Sequence, residues 1–255
     1  MALTLHAHGS SIAGRRRHNE DALLLAPTLD LFAVLDGVGG AAGGEVASQL
    51  GAETIACFFA RSRDPEATWP YPIDPNLDLA HNRVRAAIRL ANRAIRARRH
   101  DRLAGMGTTV ALVHVVGARA IVAHLGDSRV YRLRPRAASV VLTQVTRDHS
   151  LYEAMRDAGV ELPPLAEYPH ANVITRALGP VPDEAPELHE LALAPGDRLL
   201  ICTDGLSGVL EPERIAALLA TPDPALACER LIEAAIAADS RDNVTAIVIA
   251  AAATD

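Results

Sequence analysis

The sequence predicts a mixed α and β fold in which β-sheets pack against one another and helices cover them on the outside. Four strand-like runs follow one another between Thr108 and Gln144, and the turns between them are too short to hold a helix. We therefore expect one antiparallel meander here, and not parallel strands joined by crossovers. Helical segments come in pairs before and after these strands, which places the helices outside the sheets.

The individual elements follow from apolar periodicity and from the position of turn residues. The predicted strands cover 3–8, 23–26, 31–35, 108–116, 119–125, 129–134, 139–145, 188–193, 198–203 and 244–250. The predicted helices cover 44–60, a segment whose apolar face carries Val84, Ile88, Ala91 and Ile95, then 211–220 and 224–238. Prolines within 63–76 forbid one continuous helix and so separate the first two.

Length and composition favour one soluble domain. The 255 residues are 49% hydrophobic, enough to bury one large core, and we expect a single domain over 1–255. There is no apolar run of about eighteen residues and no N-terminal signal pattern, which predicts a cytoplasmic protein without a membrane partner. The net charge of −6 gives no general reason to expect nucleic acid as a partner. A monomer is expected.

The basic residues and the cysteines exclude some kinds of site. All 25 basic residues are arginine, so the phosphate-binding lysine of a P-loop has no candidate. Seven arginines between Arg83 and Arg99 surround the apolar face of the second helix; a nucleic-acid surface and a solvated helix face are both possible, and the latter is favoured. The cysteines Cys57, Cys202 and Cys228 stand far apart in apolar segments, which predicts reduced core thiols.

Carboxylates recur where apolar runs stop at a glycine, an asparagine or a turn. They are Glu20 and Asp21 in RRRHNED, Asp36 in LFAVLDGVGG, Asp127 in AIVAHLGDSR, Asp204 in RLLICTDG and Asp242 in DSRDNVTAIVI. One Asp-Gly after a strand is ordinarily a turn. Repetition with hardly any local histidine or lysine points to carboxylates gathered around cations, because uncompensated carboxylates repel one another.

Such a set of oxygen ligands suits Mg²⁺ or Mn²⁺, and no His or Cys pair has a spacing typical of zinc. Two such ions about 3.5–4 Å apart can activate a water to attack phosphorus. An arginine beside them would hold the phosphoryl oxygens, and GRRRHNED offers three candidates. Other hydrolytic designs lack their motifs, since there is no G-x-S-x-G elbow and no cysteine with a glycine-rich phosphate loop. His149 is a possible base, but a hydrogen-bonded structural role is favoured.

Eight segments, in their order and spacing, resemble the metal-dependent protein phosphatases of the PPM (type 2C) family in its compact bacterial form. They are GRRRHNEDA, DGVGGAAGGEVAS, GMGTT, GDSRVY, TRDHS, NVITRALG, DRLLICTDGL and SRDNVTAIV. The resemblance covers essentially the whole chain. It implies a four-layer α/β/β/α sandwich with a binuclear metal centre in a cleft, hydrolysing phosphoserine and phosphothreonine in proteins. A serine/threonine kinase or its targets would be the physiological partners.

The resemblance also implies roles for individual residues. Asp36 corresponds to the carboxylate that bridges two metals, with the Gly37 carbonyl beside it. Glu20 would bind one metal, Asp204 and Asp242 the other, and Asp21 would hydrogen-bond water at the metals. Arg16 stands at the phosphate-binding arginine, on a strand before Glu20, whereas Arg15 or Arg17 would need a shifted register. Asp127 corresponds to a ligand of a weaker third metal, and a variable flap is expected at about 149–172.

Three positions depart from the family pattern. Ala41 replaces a frequent histidine, Val38 stands where eukaryotic members often carry a histidine proposed as general acid, and Gly208 replaces an aspartate of the third site. Thr108, Thr109, Ser128, Arg129 and Asn243 are predicted to shape turns and strands around the site. The alternative function is a catalytically weak pseudophosphatase that binds a phosphoprotein. Retention of every inferred ligand of the two main metals argues against it.

Overall fold

The computed structural model describes residues 3–39, 43–64, 66–136 and 139–254. Its strands are β1 (Leu3–Ile12), β2 (Ala22–Ala26), β3 (Leu31–Leu35), β4 (Gly37–Val38), β5 (Gly107–Thr108), β6 (Val110–Val116), β7 (Arg119–Leu125), β8 (Arg129–Arg136), β9 (Ser139–Gln144), β10 (Glu187–Ala192), β11 (Arg198–Cys202) and β12 (Val244–Ala253). Its α-helices are α1 (Gly43–Arg61), α2 (Leu79–Ala97), α3 (Leu151–Asp157), α4 (Asp204–Ser207), α5 (Pro212–Leu219) and α6 (Pro224–Ala237).

Two five-stranded antiparallel sheets form the centre of the molecule. Sheet I has the order β10-β7-β6-β3-β2, and sheet II has the order β1-β12-β11-β8-β9. A short ribbon pairs β4 with β5. Helices α1 and α2 pack on the outer face of sheet I, and α5 and α6 pack on the outer face of sheet II. The predicted four-layer α/β/β/α sandwich is confirmed.

Alternation of side chains along the strands divides the core into three layers. In β3, Leu31, Ala33 and Leu35 face α1 and α2. Phe32 and Val34 point the other way, into the layer between the sheets, where they join apolar residues of β11 and β12. A strand whose two faces are both buried has no polar alternation, which explains why β3 appears in the sequence as a continuous apolar run.

The single meander predicted between Thr108 and Gln144 is wrong in one respect. The strands do pair antiparallel, but β6 and β7 belong to sheet I, whereas β8 and β9 belong to sheet II. The chain passes between the sheets at residues 126–128, where Gly126 has a φ of 105°, a left-handed conformation that favours glycine. Turn length alone does not show which sheet the next strand joins.

The arginines of α2 and of the two residues that follow it are less solvated than the sequence suggested. Arg83, Arg85, Arg89, Arg96 and Arg99 are half-buried, and only Arg93 and Arg98 are exposed. Arg85 pairs with Asp74 at 2.9 Å and Arg89 with Asp183 at 3.1 Å, while Arg96 donates to the Pro180 carbonyl at 2.8 Å. These side chains hold loops against α2, which gives them a structural role.

Two further expectations can be compared with the described residues. Cys202 and Cys228 are buried free thiols as predicted, but Cys57 is exposed on α1, so its predicted core position is wrong. Among the described helices, none combines the length and the apolar character needed to cross a bilayer.

Candidate metal centre

The predicted carboxylates come from the ends of strands that meet at one end of the sandwich. Asp36 follows β3, Asp127 follows β7, and Asp204 begins the short helix after β11. Asp21 immediately precedes β2, and Asp242 stands two residues before β12. All are buried or half-buried. Five separate chain segments therefore deliver one carboxylate each to the same region.

The charges of these carboxylates act on one another, which places the groups close together. Burial raises the pKa of Asp36 well above its usual range, and the charges of Asp204, Asp21 and Asp127 raise it further. Burial and then the charge of Asp204 raise the pKa of Asp127 to about 7. The pKa of Asp204 is raised by burial and by Asp242. Asp204 lies at the centre of this cluster, because it perturbs or is perturbed by each of the others.

The cluster has the chemistry of a divalent-cation site. Its donors are carboxylate oxygens, which Mg²⁺ and Mn²⁺ prefer. Asp204 Oδ1 is buried and accepts no hydrogen bond from any group in the part of the chain that the structure describes. A buried, unpaired carboxylate oxygen is costly unless a cation lies beside it. The residues present thus fit Mg²⁺ or Mn²⁺.

Asp21 is held by two hydroxyl groups that the sequence analysis did not single out. Its Oδ2 accepts hydrogen bonds from Thr245 Oγ1 at 2.6 Å and from Thr203 Oγ1 at 3.0 Å. Burial raises the pKa of Asp21 to about 7, although these two hydrogen bonds act in the opposite direction. The charges of Asp204 and Asp242 contribute to the rise. Asp21 is therefore fixed beside the cluster by the residue that follows β11 and by β12.

Close backbone packing positions Glu20. The Glu20 carbonyl accepts hydrogen bonds from Gly37 N at 3.2 Å and from Ser48 Oγ at 2.6 Å. A Cβ on Gly37 would collide with backbone carbonyl oxygens of Gly44 and Glu20, and a Cβ on Gly44 would collide with Glu20 Oε2. Glycine is thus required at both positions, and the Glu20 carboxylate extends toward the first turn of α1.

Four of the five residues predicted to shape the surroundings form hydrogen bonds beneath Asp36 and Glu20, and the fifth, Arg129, donates to Asp148. Thr109 Oγ1 accepts from Asp36 N at 2.9 Å and contacts Ser128 Oγ at 2.8 Å, while Thr108 Oγ1 donates to the Asp36 carbonyl at 2.8 Å. Asn243 Oδ1 accepts from Glu20 N at 2.8 Å. Asn243 Nδ2 donates to the carbonyls of Ala13 and His18 at 3.0 and 2.9 Å. These contacts hold the backbone beneath Asp36 and Glu20.

Arg16 lies at the rim of the cluster, in the loop after β1 and not on the predicted strand. Its Nη2 donates to Asp242 Oδ2 at 2.8 Å and its Nε donates to the Arg241 carbonyl at 2.9 Å. The side chain remains 58% exposed. Arg15 instead pairs with Asp239, and Arg17 is exposed. Of these three arginines, Arg16 is the one in contact with a predicted metal ligand.

Two of the three departures from the family pattern can be located. Val38 lies half-buried in β4. Gly208 ends α4 with a φ of −80°, so no left-handed conformation restricts it, but a Cβ there would lie 2.7 Å from the Asp204 carbonyl oxygen. Ala41 falls outside the described residues.

Comparison with known proteins decides the family. The family model described as Protein phosphatase 2C matches residues 8–230. The chain belongs to this family. It is 37% identical over 236 residues to the serine/threonine protein phosphatase PstP of Mycobacterium tuberculosis, an alignment that covers 91% of this chain and 42% of PstP. It is 29% identical over 226 residues to the protein phosphatase PhpP of Streptococcus pneumoniae, covering 86% of this chain and 85% of PhpP.

Solved structures of family members agree with the fold. A crystal structure of M. tuberculosis PstP superimposes with a TM-score of 0.82 at 33% identity, covering 97% of this chain and 98% of that one. The PstP catalytic domain in complex with two manganese ions gives a TM-score of 0.81 at 35% identity, covering 98% and 100% of the two chains. The chain spans less than half the length of the PstP sequence, so it corresponds to the catalytic domain of that protein.

Proposed function

We propose that this phosphatase-family chain hydrolyses phosphoserine and phosphothreonine in proteins at a centre of two Mg²⁺ or Mn²⁺ ions. The observation that carries the proposal is the cluster of Asp21, Asp36, Asp127, Asp204 and Asp242. Burial and the neighbouring carboxylate charges raise the pKa values of Asp21, Asp36, Asp127 and Asp204, and one buried oxygen of Asp204 lacks a hydrogen-bond partner among the described residues. A protein gains nothing from such repulsion unless cations offset it.

The proposed ligand set follows from the position of each carboxylate. Asp36 lies among Asp204, Asp21 and Asp127, which suits a bridging ligand between two ions. Glu20 would hold one ion together with the Gly37 carbonyl, and Asp204 and Asp242 would hold the other. Asp127 would contribute to a weaker third site. When bound, two such ions lower the pKa of water and offset negative charge at the phosphoryl group.

The side chains of the protein perform the remaining tasks. Asp21, fixed by Thr203 and Thr245, would accept a hydrogen bond from the attacking water. Arg16 would donate to the phosphoryl oxygens; it is exposed, and it is already oriented toward the cluster by Asp242 and the Arg241 carbonyl. Val38 cannot donate a proton, so the leaving hydroxyl would take its proton from water. The flap proposed at 149–172 would lie beside this cleft and would contact the phosphoprotein.

The relatives support this class of substrate, since PstP and PhpP are named as serine/threonine and protein phosphatases. A serine/threonine kinase or its targets are the partners we propose, with the chain acting as a cytoplasmic monomer and as one domain over 1–255. The pseudophosphatase alternative is disfavoured, because a binding module has no need for a buried carboxylate cluster.

The test is phosphate release from a phosphothreonine peptide in the presence of Mn²⁺, with EDTA and the variant Asp36→Asn as comparisons. Turnover should require the metal and should fall in Asp36→Asn by at least about a thousandfold, because the Asp36 carboxylate interacts electrostatically with Asp204, Asp21 and Asp127. Tight peptide binding without turnover would favour the pseudophosphatase. Full turnover in excess EDTA would exclude the metal mechanism.

A further inference from the structure

Hydrogen bonds from one dipeptide, Asp148-His149, hold the turn that carries Asp127 on both sides. On one side, His149 N donates to the Gly126 carbonyl at 2.9 Å and Gly126 N donates to His149 Nδ1 at 3.1 Å. On the other side, Arg129 donates to both carboxylate oxygens of Asp148, at 2.8 and 2.6 Å. The predicted third-site ligand Asp127 stands between these two attachments.

The same dipeptide closes the base of the proposed flap. The His149 carbonyl accepts from Thr175 N at 2.7 Å, Leu151 N donates to the Val173 carbonyl at 2.8 Å, and Ser150 forms a β-bridge with Ile174. The segment 151–173, which includes α3, thus begins and ends beside His149. A displacement of this segment would be transmitted through His149 to the backbone of Gly126.

The environment of His149 fixes one tautomer. Because Nδ1 accepts from the Gly126 amide, the neutral ring carries its proton on Nε2. Glu187 Oε2 lies 3.2 Å from this atom and accepts from it, whereas Arg176 Nη1, also at 3.2 Å, can only donate and makes no hydrogen bond to it. The ring is 10% exposed and stacks on His124 with 4.5 Å between centroids. Glu187 and His124 therefore support an imidazole whose Nδ1 lone pair holds the Asp127 turn.

This histidine cluster is arranged as a structural support and not as a metal site. The planes of the His124 and His149 rings differ by 11°, and imidazole lone pairs lie in the ring plane, so those of stacked rings do not converge on a point between them. In addition, Arg176 Nη1 lies 3.2 Å from His149 Nε2 and brings a positive charge to the position a cation would take.

We infer that His149 is a positioning residue that couples the flap to Asp127: its Nδ1 holds the 126–128 turn so that the Asp127 carboxylate faces Asp204 and Asp36. This inference rests on the proposed function, since it concerns metal affinity at that site. Partners that orient metal ligands without touching the metal commonly change affinity by about 10–100-fold. Binding of Mn²⁺ at the weaker third site should appear as a second, weaker phase in a titration. The affinity of this weak phase should therefore depend on the hydrogen-bond acceptor at the δ position of residue 149.

A matched pair of variants isolates that acceptor. In His149→Asn the amide oxygen can occupy the δ position and accept from Gly126 N, whereas in His149→Gln the amide lies at the ε position and leaves Gly126 N unpaired. Mn²⁺ binding is measured by titration calorimetry without substrate, and thermal unfolding in EDTA checks that both variants fold. We expect the weak phase to lose at least about tenfold in affinity in His149→Gln and much less in His149→Asn.

Several results would overturn the inference. One is a wild-type protein whose Mn²⁺ titration has no weak phase, and another is a His149→Gln variant that binds Mn²⁺ like wild type. The third is a His149→Asn variant that loses as much affinity in the weak phase as His149→Gln, or more, which would indicate that the residue acts by packing alone. If His149→Gln does not fold, Asp148→Asn, which weakens the opposite attachment, must lower the weak phase instead. Because no turnover is measured, an inactive wild type would refute the proposed function without deciding this point.

Discussion

Neutralising Asp21 should stabilise the metal-free protein, and the pH at which it does so is set by the structure. Asp21 is 4% exposed, and burial raises its pKa from 3.8 to about 7. Since a tenfold change in proton affinity corresponds to about 1.4 kcal/mol, ionised Asp21 costs the metal-free fold up to about 4 kcal/mol. The folded-state pKa lies above the unfolded-state pKa, so this cost grows from about pH 4 and is complete above about pH 7.

The variant Asp21→Asn removes the charge and keeps an oxygen that can accept from Thr203 and Thr245. Relaxation of the cleft and water entry reduce the full cost, so we expect a gain of about 1–3 kcal/mol in the free energy of unfolding at pH 8 in EDTA. At pH 5 the gain should be smaller. Saturating Mn²⁺ should remove this gain in stability, because the cations then offset the charge of Asp21 in the wild type.

The assay is urea unfolding of wild type and Asp21→Asn at pH 5 and pH 8, each in EDTA and in Mn²⁺. Glu233→Gln, which neutralises an exposed carboxylate on α6, is the control and should have little effect at either pH. An Asp21→Asn variant that is destabilised in EDTA at pH 8, or whose gain does not differ between the two pH values, would refute the electrostatic account of the cluster.

Three further changes test individual residues. Arg16→Ala should raise KM for a phosphopeptide by about 10–100-fold through loss of a charge-assisted contact. Arg15→Ala and Arg17→Ala should raise it less. A larger effect of Arg17→Ala in steady-state kinetics would show that the phosphate-binding arginine was assigned to the wrong position. Gly208→Asp should move the weak phase of the Mn²⁺ titration to lower concentration, because affinity for hard cations rises with ligand charge. Gly208→Ala controls for the contact between Cβ and the Asp204 carbonyl, and superimposable titrations of the two variants would exclude a carboxylate effect. Asp204→Asn should abolish Mn²⁺-dependent phosphate release while leaving the far-UV spectrum unchanged, and retention of turnover would remove Asp204 from the ligand set.

The sequence was sufficient for the layers of the fold and for the carboxylate cluster, for a definite physical reason. Strands buried on both faces appear as apolar runs, and Asp36, Asp127 and Asp204 stand one or two residues after such runs. The family motifs then place these strand ends at one cleft. Local patterns of this kind survive in a single sequence because each depends on only a few neighbouring residues.

What the sequence did not reveal depends on contacts between distant segments. Thr203 and Thr245, which hold Asp21, are ordinary strand residues in the sequence. The length of the turn at Gly126 does not show that the chain passes there from sheet I to sheet II. The hydrogen bonds from Asp148 and His149 to the Asp127 turn join residues about twenty positions apart. The motif TRDHS gives no indication of what the histidine binds. Pairing of this kind is set by the topology and not by local propensity.

The presence of two divalent cations in the carboxylate cluster is the central claim, and anomalous diffraction from crystals soaked in Mn²⁺ tests it most directly. We predict two strong peaks about 3.5–4 Å apart, both beside Asp36, with one near Glu20 and the other near Asp204 and Asp242. A third, weaker peak near Asp127 is expected only at high Mn²⁺. Crystals in which Mn²⁺ is absent from this cluster, or lies instead among His124, His149 and Glu187, would contradict the account.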